Sequence, residues 1–567
     1  MKNYFKFSMK SVLLTAAVVV FASCNDTWKD HYSFKETESS HPVAKLAETL
    51  GDIDGYENFL KALETTQMCD KYGRPQGITF LELLSEDQFL TVWAPSNDCG
   101  LTEDEWKEYT NPKKTAAQHY EVGEKFIKNH IARFKHTVGV SSSGKIYMLS
   151  GKAFDSDSVS IGGKIYDANE KNIRCSNGIL HCINGHLEYL KSLYEYITQA
   201  PEYKDIFGDW FKSFTIETLD LEKSIASGMN DQGEIVYIDS VMIESNQLMR
   251  KFGYIHTEDS TYYIVMPTPE LFNNVYDRIK ESYVYAEKNL NNDSLQQYYT
   301  RVTMMTDMFY NMTNGKKAQK YYPDSVFSTL YNANENKRDG KPYHIFAYPN
   351  EPGGLFANAV STQKCSNGTI YFVDEWPFAD TLTYLRQIKL EAESYTALAR
   401  FILRQQSVNS IKGKRLDNPV QVMRISMEGM SSWDAKIYIN NNLKGKYEVK
   451  MVMAPNTVAD MPNYIHPAIS YVMPDNKESV LIDSVRIDTI TDSRGRKRAV
   501  RSPFYAINDT SKFDTVSLGI VDLPYCNYEM NQARLAVTLS SGVNEQNSSK
   551  YASELWLDCI ILDPVVE

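Results

Sequence analysis

The chain has 567 residues, and its 72 acidic against 60 basic side chains leave a net charge of −12. Nothing in that balance would neutralise a phosphate backbone, so nucleic acid is excluded as a partner. Hydrophobic residues at 43% and aromatic residues at 12% supply material for several packed cores and exclude a disordered stalk; about three or four domains are expected at this length.

From the N-terminus, Lys2, Lys6 and Lys10 precede an apolar run over 12–21 that ends in Ala22-Ser23-Cys24. A basic head, an apolar stretch too short to span a bilayer and small residues before a cysteine make a secretory signal. Ala-Ser-Cys resembles a bacterial lipobox, with Phe21 where Leu is usual; the alternative is an ordinary signal peptide that happens to precede a cysteine. The reading taken is a signal peptide over 1–23, a lipid on Cys24, and a polar tether over 24–42 that stands the folded part off an outer membrane, exposed at the cell surface. No later run is long and apolar enough for a transmembrane helix, so the lipid would be the anchor.

Beyond the tether the sequence repeats itself. Cys175-Ser176-Asn177-Gly178 runs into Ile179 to Ile183, and Cys365-Ser366-Asn367-Gly368 runs into Thr369 to Val373. Each joins an Asn-Gly turn to a β-favouring run, and tolerance of positive φ is the expected reason for the glycine. Upstream, Phe89 to Asn97 and Tyr262 to Pro269 each carry an apolar strand ending in proline and a hydroxyl residue. Two echoes in one order predict a duplicated domain. Phe59, Leu60 and Leu63 have helical spacing in the first copy, as do Leu193, Tyr196 and Ile197 in the second, with Phe207, Trp210 and Phe211 as core. The second copy is longer: 98 residues separate Pro267 from Cys365, against 80 from Pro95 to Cys175, which places an insertion within 321–354.

These motifs resemble the fasciclin-like domain. An aromatic strand runs into Ala-Pro-Ser-Asn at Ala94 to Asn97, and Asn-Gly-(apolar)-(apolar)-His-x-Ile-Asn closes at Asn177 to Asn184. Leu149 to Lys152 and Gly162 to Ile165 sit where that family places paired hairpins, and Asn25 to Tyr32 is similar to the tether of fasciclin-like lipoproteins of the Bacteroidetes. The resemblance covers 43–190 well and 191–378 in degenerate form, with Thr268-Pro269 in place of Ser-Asn. It also implies an adhesive pair at Asn129-His130, for which the second copy offers Tyr310-Asn311. His130 is read here as a buried, hydrogen-bonded histidine instead.

The remainder, 379–567, is strand-like with polar turns. Leu390-Glu391-Ala392-Glu393 opens it, a Gly445-Lys446-Tyr447 strand follows, and Leu557-Asp558-Cys559-Ile560 closes it. That order resembles jelly-roll carbohydrate-binding modules of families 6 and 35, with about 40 residues inserted around 475–511. The resemblance implies a structural calcium held by Glu391, Glu393 and Asp558, three hard-oxygen ligands of the kind Ca²⁺ takes; plain solvent-facing acids are the alternative. It carries over no sugar-contacting residues; Trp433 and Tyr551 are nearby aromatics, Trp433 being expected in the core. The basic run Arg494 to Arg498 reads as a solvated hairpin tip.

The expected fold class is therefore multidomain α+β and all-β: two fasciclin-like mixed α/β domains, then a C-terminal β-sandwich. No nucleophile elbow, phosphate-cradling glycine loop or catalytic metal-ligand cluster is present, so no catalytic residue or catalytic cofactor is assigned and the chain is read as no enzyme. The leading expectation is a surface lipoprotein that binds glycan or protein, accessory to an outer-membrane nutrient importer. Its alternative is an adhesin acting through the tandem fasciclin-like domains.

Overall fold

The computed structural model describes residues 43–566, apart from 71, 140–142, 220–224, 230–231, 233–234, 240–241, 287–289, 312–324, 329–344, 395–397, 400–401, 427–432, 484, 492 and 529–533. Cys24 and the tether, and most of the insertion expected within 321–354, lie outside the described residues. The chain divides into two compact units, one ending at Tyr189 and one running from Leu190.

In the first unit Leu90–Pro95 lies parallel to Gly178–Asn184, in register from Leu90 opposite Gly178 to Pro95 opposite Ile183. Both strands are apolar on alternate sides because both faces are covered. Val92, Ala94, Leu180 and Cys182 point into one core with Phe59, Leu63 and Phe80, while Trp93 and Ile183 point into another with Ile161 and Tyr166. The sheet extends on one side to Ile131–Arg133 and on the other through Lys164–Tyr166, Ser160–Ile161, Ala153–Ser156 and Gly144–Tyr147. The expected paired hairpins are these last strands, with Gly151, Gly162 and Gly163 at positive φ in their turns. Three short helices start on reciprocal capping boxes readable as Thr-x-x-Glu/Gln: Thr79 with Glu82, Thr102 with Glu105, and Thr115 with Gln118.

The second unit repeats the central arrangement. Tyr262–Pro267 lies parallel to Gly368–Val373, with Tyr262 opposite Gly368. Around the two Asn-Gly turns the hydrogen bonds correspond one for one. Asn177 Oδ1 accepts from the Leu46 amide at 2.9 Å, and its Nδ2 donates to Leu84 O at 2.8 Å and Glu86 O at 2.7 Å. Asn367 Oδ1 accepts from the Leu193 amide at 2.9 Å, and its Nδ2 donates to Ile255 O at 2.7 Å and Thr257 O at 2.8 Å. The Ser176 amide donates to Ala44 O and the Ser366 amide to Lys191 O, each at 3.0 Å.

The reason expected for the glycines needs correcting. Neither Gly178 nor Gly368 has positive φ. What each requires is the absence of a Cβ: one added at Gly178 would stand 2.1 Å from Leu90 O and 2.6 Å from a Leu46 methyl, and one at Gly368 would stand 1.9 Å from Tyr262 O. The parallel partner strand passes too close for any side chain.

The copies diverge after the first of these paired parallel strands. Asn97 holds a loop in the first, accepting from the Asn58 amide at 3.1 Å and donating to Glu57. Pro269 instead opens a 12-residue helix, Pro269–Lys280, at the position where a proline's missing amide matters least. A second helix, Leu290–Met308, buries Met304, Met305 and Met308 at its end.

The rest of the second unit contains two antiparallel sheets. One is ordered Ile402–Ile411, Lys414–Ser426, Leu555–Pro564, Gly445–Met453, Asp514–Leu523, with Ile388–Glu391 also on Leu555–Pro564. The other is ordered Leu398–Ala399, Asp434–Ile439, Arg534–Ser541, Tyr464–Val472, Glu478–Ile482, with Ala506–Ile507 on Tyr464–Val472. Alternate residues from both, among them Ile425, Met451 and Leu557 against Ile437, Ile469 and Val537, form one core, making a β-sandwich. The region 475–511 adds a hairpin, Val485–Thr491 with Lys497–Pro503, whose tip exposes Arg494 and Arg496.

This sandwich does not stand free of the α/β part of its unit. The Cys526 amide donates to Val284 O at 2.7 Å, the Lys444 amide donates to Ser282 O at 3.0 Å, and the Tyr283 ring meets Tyr528 edge-on at 5.9 Å. Leu443 and Cys526 belong to the helical core.

Candidate functional site

Asn129 and His130, the pair an adhesive surface would need, are both fully buried. The Leu187 amide donates to His130 Nε2 at 2.9 Å, so Nδ1 carries the proton and donates to Phe126 O at 2.8 Å. Asn129 Nδ2 donates to Leu187 O at 2.8 Å, and its Oδ1 accepts from Ser150 at 2.8 Å. The pair thus clamps Leu187 from both sides, and burial holds the His130 imidazole down at about 3. Strand register also corrects its counterpart. Leu90 faces Arg133 and Tyr262 faces Asn311, so Tyr310-Asn311 corresponds to Ala132-Arg133, and buried Met308 takes the place of His130.

At the opening of the sandwich, Ile388–Glu391 pairs directly with the last strand, Glu391 opposite Cys559. This brings Glu391, Asp558 and Cys559 together, their ligand atoms all within 4.8 Å of one another. Glu393 lies outside that group but feels its charge. Burial first, then Glu391 and Asp558, push its carboxyl up, and its Oε2 is buried with no hydrogen-bond partner. Burial and Glu391 likewise raise Asp558, and burial and Asp558 raise the Cys559 thiol. Sequence reasoning missed Lys389, whose ammonium sits 2.7 Å from Glu391 Oε1. The oxygen donors and the orphaned Glu393 oxygen suit a hard cation, which would have to displace Lys389 from the cluster.

Trp433 is core, 4% exposed, with Nε1 donating to Ser553 O at 2.6 Å. Tyr551 behaves otherwise. Its ring centroid lies 4.9 Å from that of Tyr464, which also has Tyr505 at 4.9 Å and the His466 ring edge-on at 5.1 Å; the tyrosine planes are tilted by 32° and 34°. Tyr505 is 49% exposed, and the other two are half-buried. One strand and two loops bring them together: Tyr464 begins its strand, Tyr505 precedes Ala506–Ile507, and Tyr551 precedes the final strand. Buried Asn463 ties the three, its amide donating to Asn508 Oδ1 at 2.7 Å and its Nδ2 to Glu554 O at 2.6 Å. Gly542 leaves the space Tyr464 needs, since a Cβ there would stand 2.2 Å from the ring. The result is a tilted stack of three aromatic faces, exposed at Tyr505. Such faces are electron-rich and attract the C–H edges of flat apolar surfaces, sugar rings among them. No spacing in the sequence joins positions 464, 505 and 551; only the topology does.

No family model matches the chain, and no curated protein matches it. Among solved structures, a family 35 carbohydrate-binding module from Clostridium thermocellum aligns at 10% identity over 32% of this chain and 99% of its own, with a TM-score of 0.17. The CBM22-1 xylan-binding domain from Paenibacillus barcinonensis aligns at 11% identity over 32% of this chain and 95% of its own, with a TM-score of 0.19. A GH26-CBM35 β-(1,4)-mannanase from Podospora anserina aligns at 13% identity and a TM-score of 0.16, over 32% of this chain and only 28% of the mannanase. Scores at this level carry no argument for a shared fold or activity. Among the described residues, no helix is long and apolar enough to cross a membrane.

Proposed function

We propose that the chain is a non-catalytic surface lipoprotein that holds a glycan on Tyr464, Tyr505 and Tyr551 of its C-terminal sandwich, two fasciclin-like domains beyond its lipid anchor at Cys24. The observation that carries this reading is the tyrosine stack: three rings from distant parts of the chain, braced by buried Asn463 and exposed at Tyr505. Aromatic residues left exposed on a rigid frame are the usual currency of recognition, because they offer area at little conformational cost. In this reading Glu391, Glu393 and Asp558 hold a structural calcium ion that neutralises their charge and staples the first strand of the sandwich to its last. The captured glycan would be passed to an outer-membrane importer. The adhesin alternative loses its residue-level support with the burial of Asn129 and His130.

A glycan array read with the full-length soluble form, Cys24→Ala, tests this directly. Binding to at least one class of polysaccharide is expected, with roughly a tenfold loss for Tyr505→Ala and a similar loss for Tyr464→Ala. An array that stays dark with all three tyrosines in place, or binding indifferent to both substitutions, would sink the proposal.

A further inference from the structure

Phe134 has φ of 68°, an outlying conformation for a bulky side chain, and it is 67% exposed. Its surroundings over-determine that conformation. The Phe134 amide donates to Phe89 O at 2.9 Å, buried Thr91 donates from Oγ1 to Phe134 O at 2.7 Å, and the His136 amide donates back to Thr91 Oγ1 at 2.9 Å. From behind, the His181 ring bonds His136 O at 2.9 Å. The strain thus holds an aromatic ring out in water. Beside it Phe89 is 50% exposed, with the Lys135 ammonium 4.0 Å above its ring, and Arg133 is exposed on the neighbouring strand.

This patch lies where the described chain comes in. Phe89 adjoins Leu90, whose amide donates to Asn177 O, and Ala44 O accepts from the neighbouring Ser176 amide. Lys45 reaches the same edge, pairing with Asp87 at 2.8 Å, and Val43 is 44% exposed. Val43 stands 19 residues after Cys24. Even fully extended, that stretch reaches no more than about 65 Å, so a lipid on Cys24 keeps this edge near a bilayer. Contact between patch and bilayer then becomes intramolecular, and a small patch suffices where it would fail alone.

We propose that this edge of the first unit, Phe89 and Phe134 flanked by Arg133 and Lys135, rests on the lipid surface, with the rings at headgroup depth and the cations on lipid phosphates. Aromatic rings with adjacent cations are what a membrane interface selects. Exposed Glu86 and Asp87 border the patch, and Lys45 pairs with Asp87. The proposal rests on the lipid-anchor reading above.

The test places p-benzoylphenylalanine at position 134 of the full-length lipidated protein, in vesicles of phosphatidylethanolamine and phosphatidylglycerol, with Val458, 80% exposed, as the control position. After irradiation, mass spectrometry should find severalfold more lipid adducts at 134 than at 458. Adducts to residues 25–42, where Trp28, Tyr32 and Phe34 could cover the patch themselves, would overturn the proposal, as would equal lipid labelling at the two positions. Intact mass of the wild-type protein reports separately on the anchor. An unmodified Cys24 ends the lipoprotein reading, and the same vesicles then judge the patch alone: lipid adducts at 134 keep it as a membrane surface, and their absence removes it.

Discussion

The two Asn-Gly turns set side by side separate what such a fold must keep from what it can change. Both copies keep an asparagine making three hydrogen bonds and a glycine that lets the partner strand's carbonyl approach. Around that hub the filling differs. The first copy has His181 in its central strand and His130 beside it, where the second has Tyr371 and Met308. The hub is fixed by backbone geometry, which tolerates nothing larger than hydrogen. The filling needs only volume and satisfied polar atoms, which several residue types supply.

The harshest break in the comparison is Gly178→Ala against Gly368→Ala. Each puts a Cβ about 2 Å from a backbone oxygen, and a loss above roughly 3 kcal/mol is expected in the unit concerned. Calorimetry of the full chain should show each variant lowering a different transition, and an unchanged thermogram for either would refute the strand register. Acid should then tell the copies apart. Burial holds His130 at about 3 and His181 at about 4. A histidine depressed in the folded state gives stability that is full above its unfolded value, near 6.5, and is lost as pH falls toward the folded value. By pH 5 the loss is about 2 kcal/mol for each. The first unit should therefore melt earlier on acidification. In the second, the raised carboxyls of Glu393 and Asp558 act oppositely, since protonation relieves them. Parallel shifts of both transitions would contradict the neutral, buried histidines.

Asn177→Ala and Asn367→Ala should each cost about 2 kcal/mol, by stranding one amide and two carbonyls at a buried turn. Unequal costs would show that the hub is better supported in one copy. The mildest test is calcium. Millimolar calcium against chelator should raise the transition of the second unit alone, by at most about 2.7 kcal/mol at a hundred times the dissociation constant. Asp558→Asn should abolish most of that rise. The measurement belongs on the full chain, because Cys526, Lys444 and Tyr528 join the sandwich to the helices beside it.

The repeat was legible because Cys-Ser-Asn-Gly survives in both copies, and the sandwich because its opening and closing strands sit at its ends in sequence. Alternating apolar residues gave Asp434–Ile439 and Gly445–Met453 their strand character, and a nearly continuous apolar run gave Leu555–Pro564 its own. The reason for the glycines was not legible, since a close backbone approach and a positive φ ask for the same residue. The Tyr464 stack was hidden for a different reason: its rings come from positions far apart in the chain, and single tyrosines announce nothing until topology gathers them. Lys389 was overlooked because a cation between acids reads as an ordinary exposed charge.

One contact has a mechanical meaning. In each copy the first described backbone groups, Ala44 and Leu46 or Lys191 and Leu193, are bonded to the Ser-Asn at the head of the last strand. Tension applied between the start of a copy and the residues that follow that strand is handed straight across this clasp and borne along a single strand. The helices and hairpins in between hang outside the load path, so a copy pulled taut from its two ends would carry the force without drawing on most of its own fold.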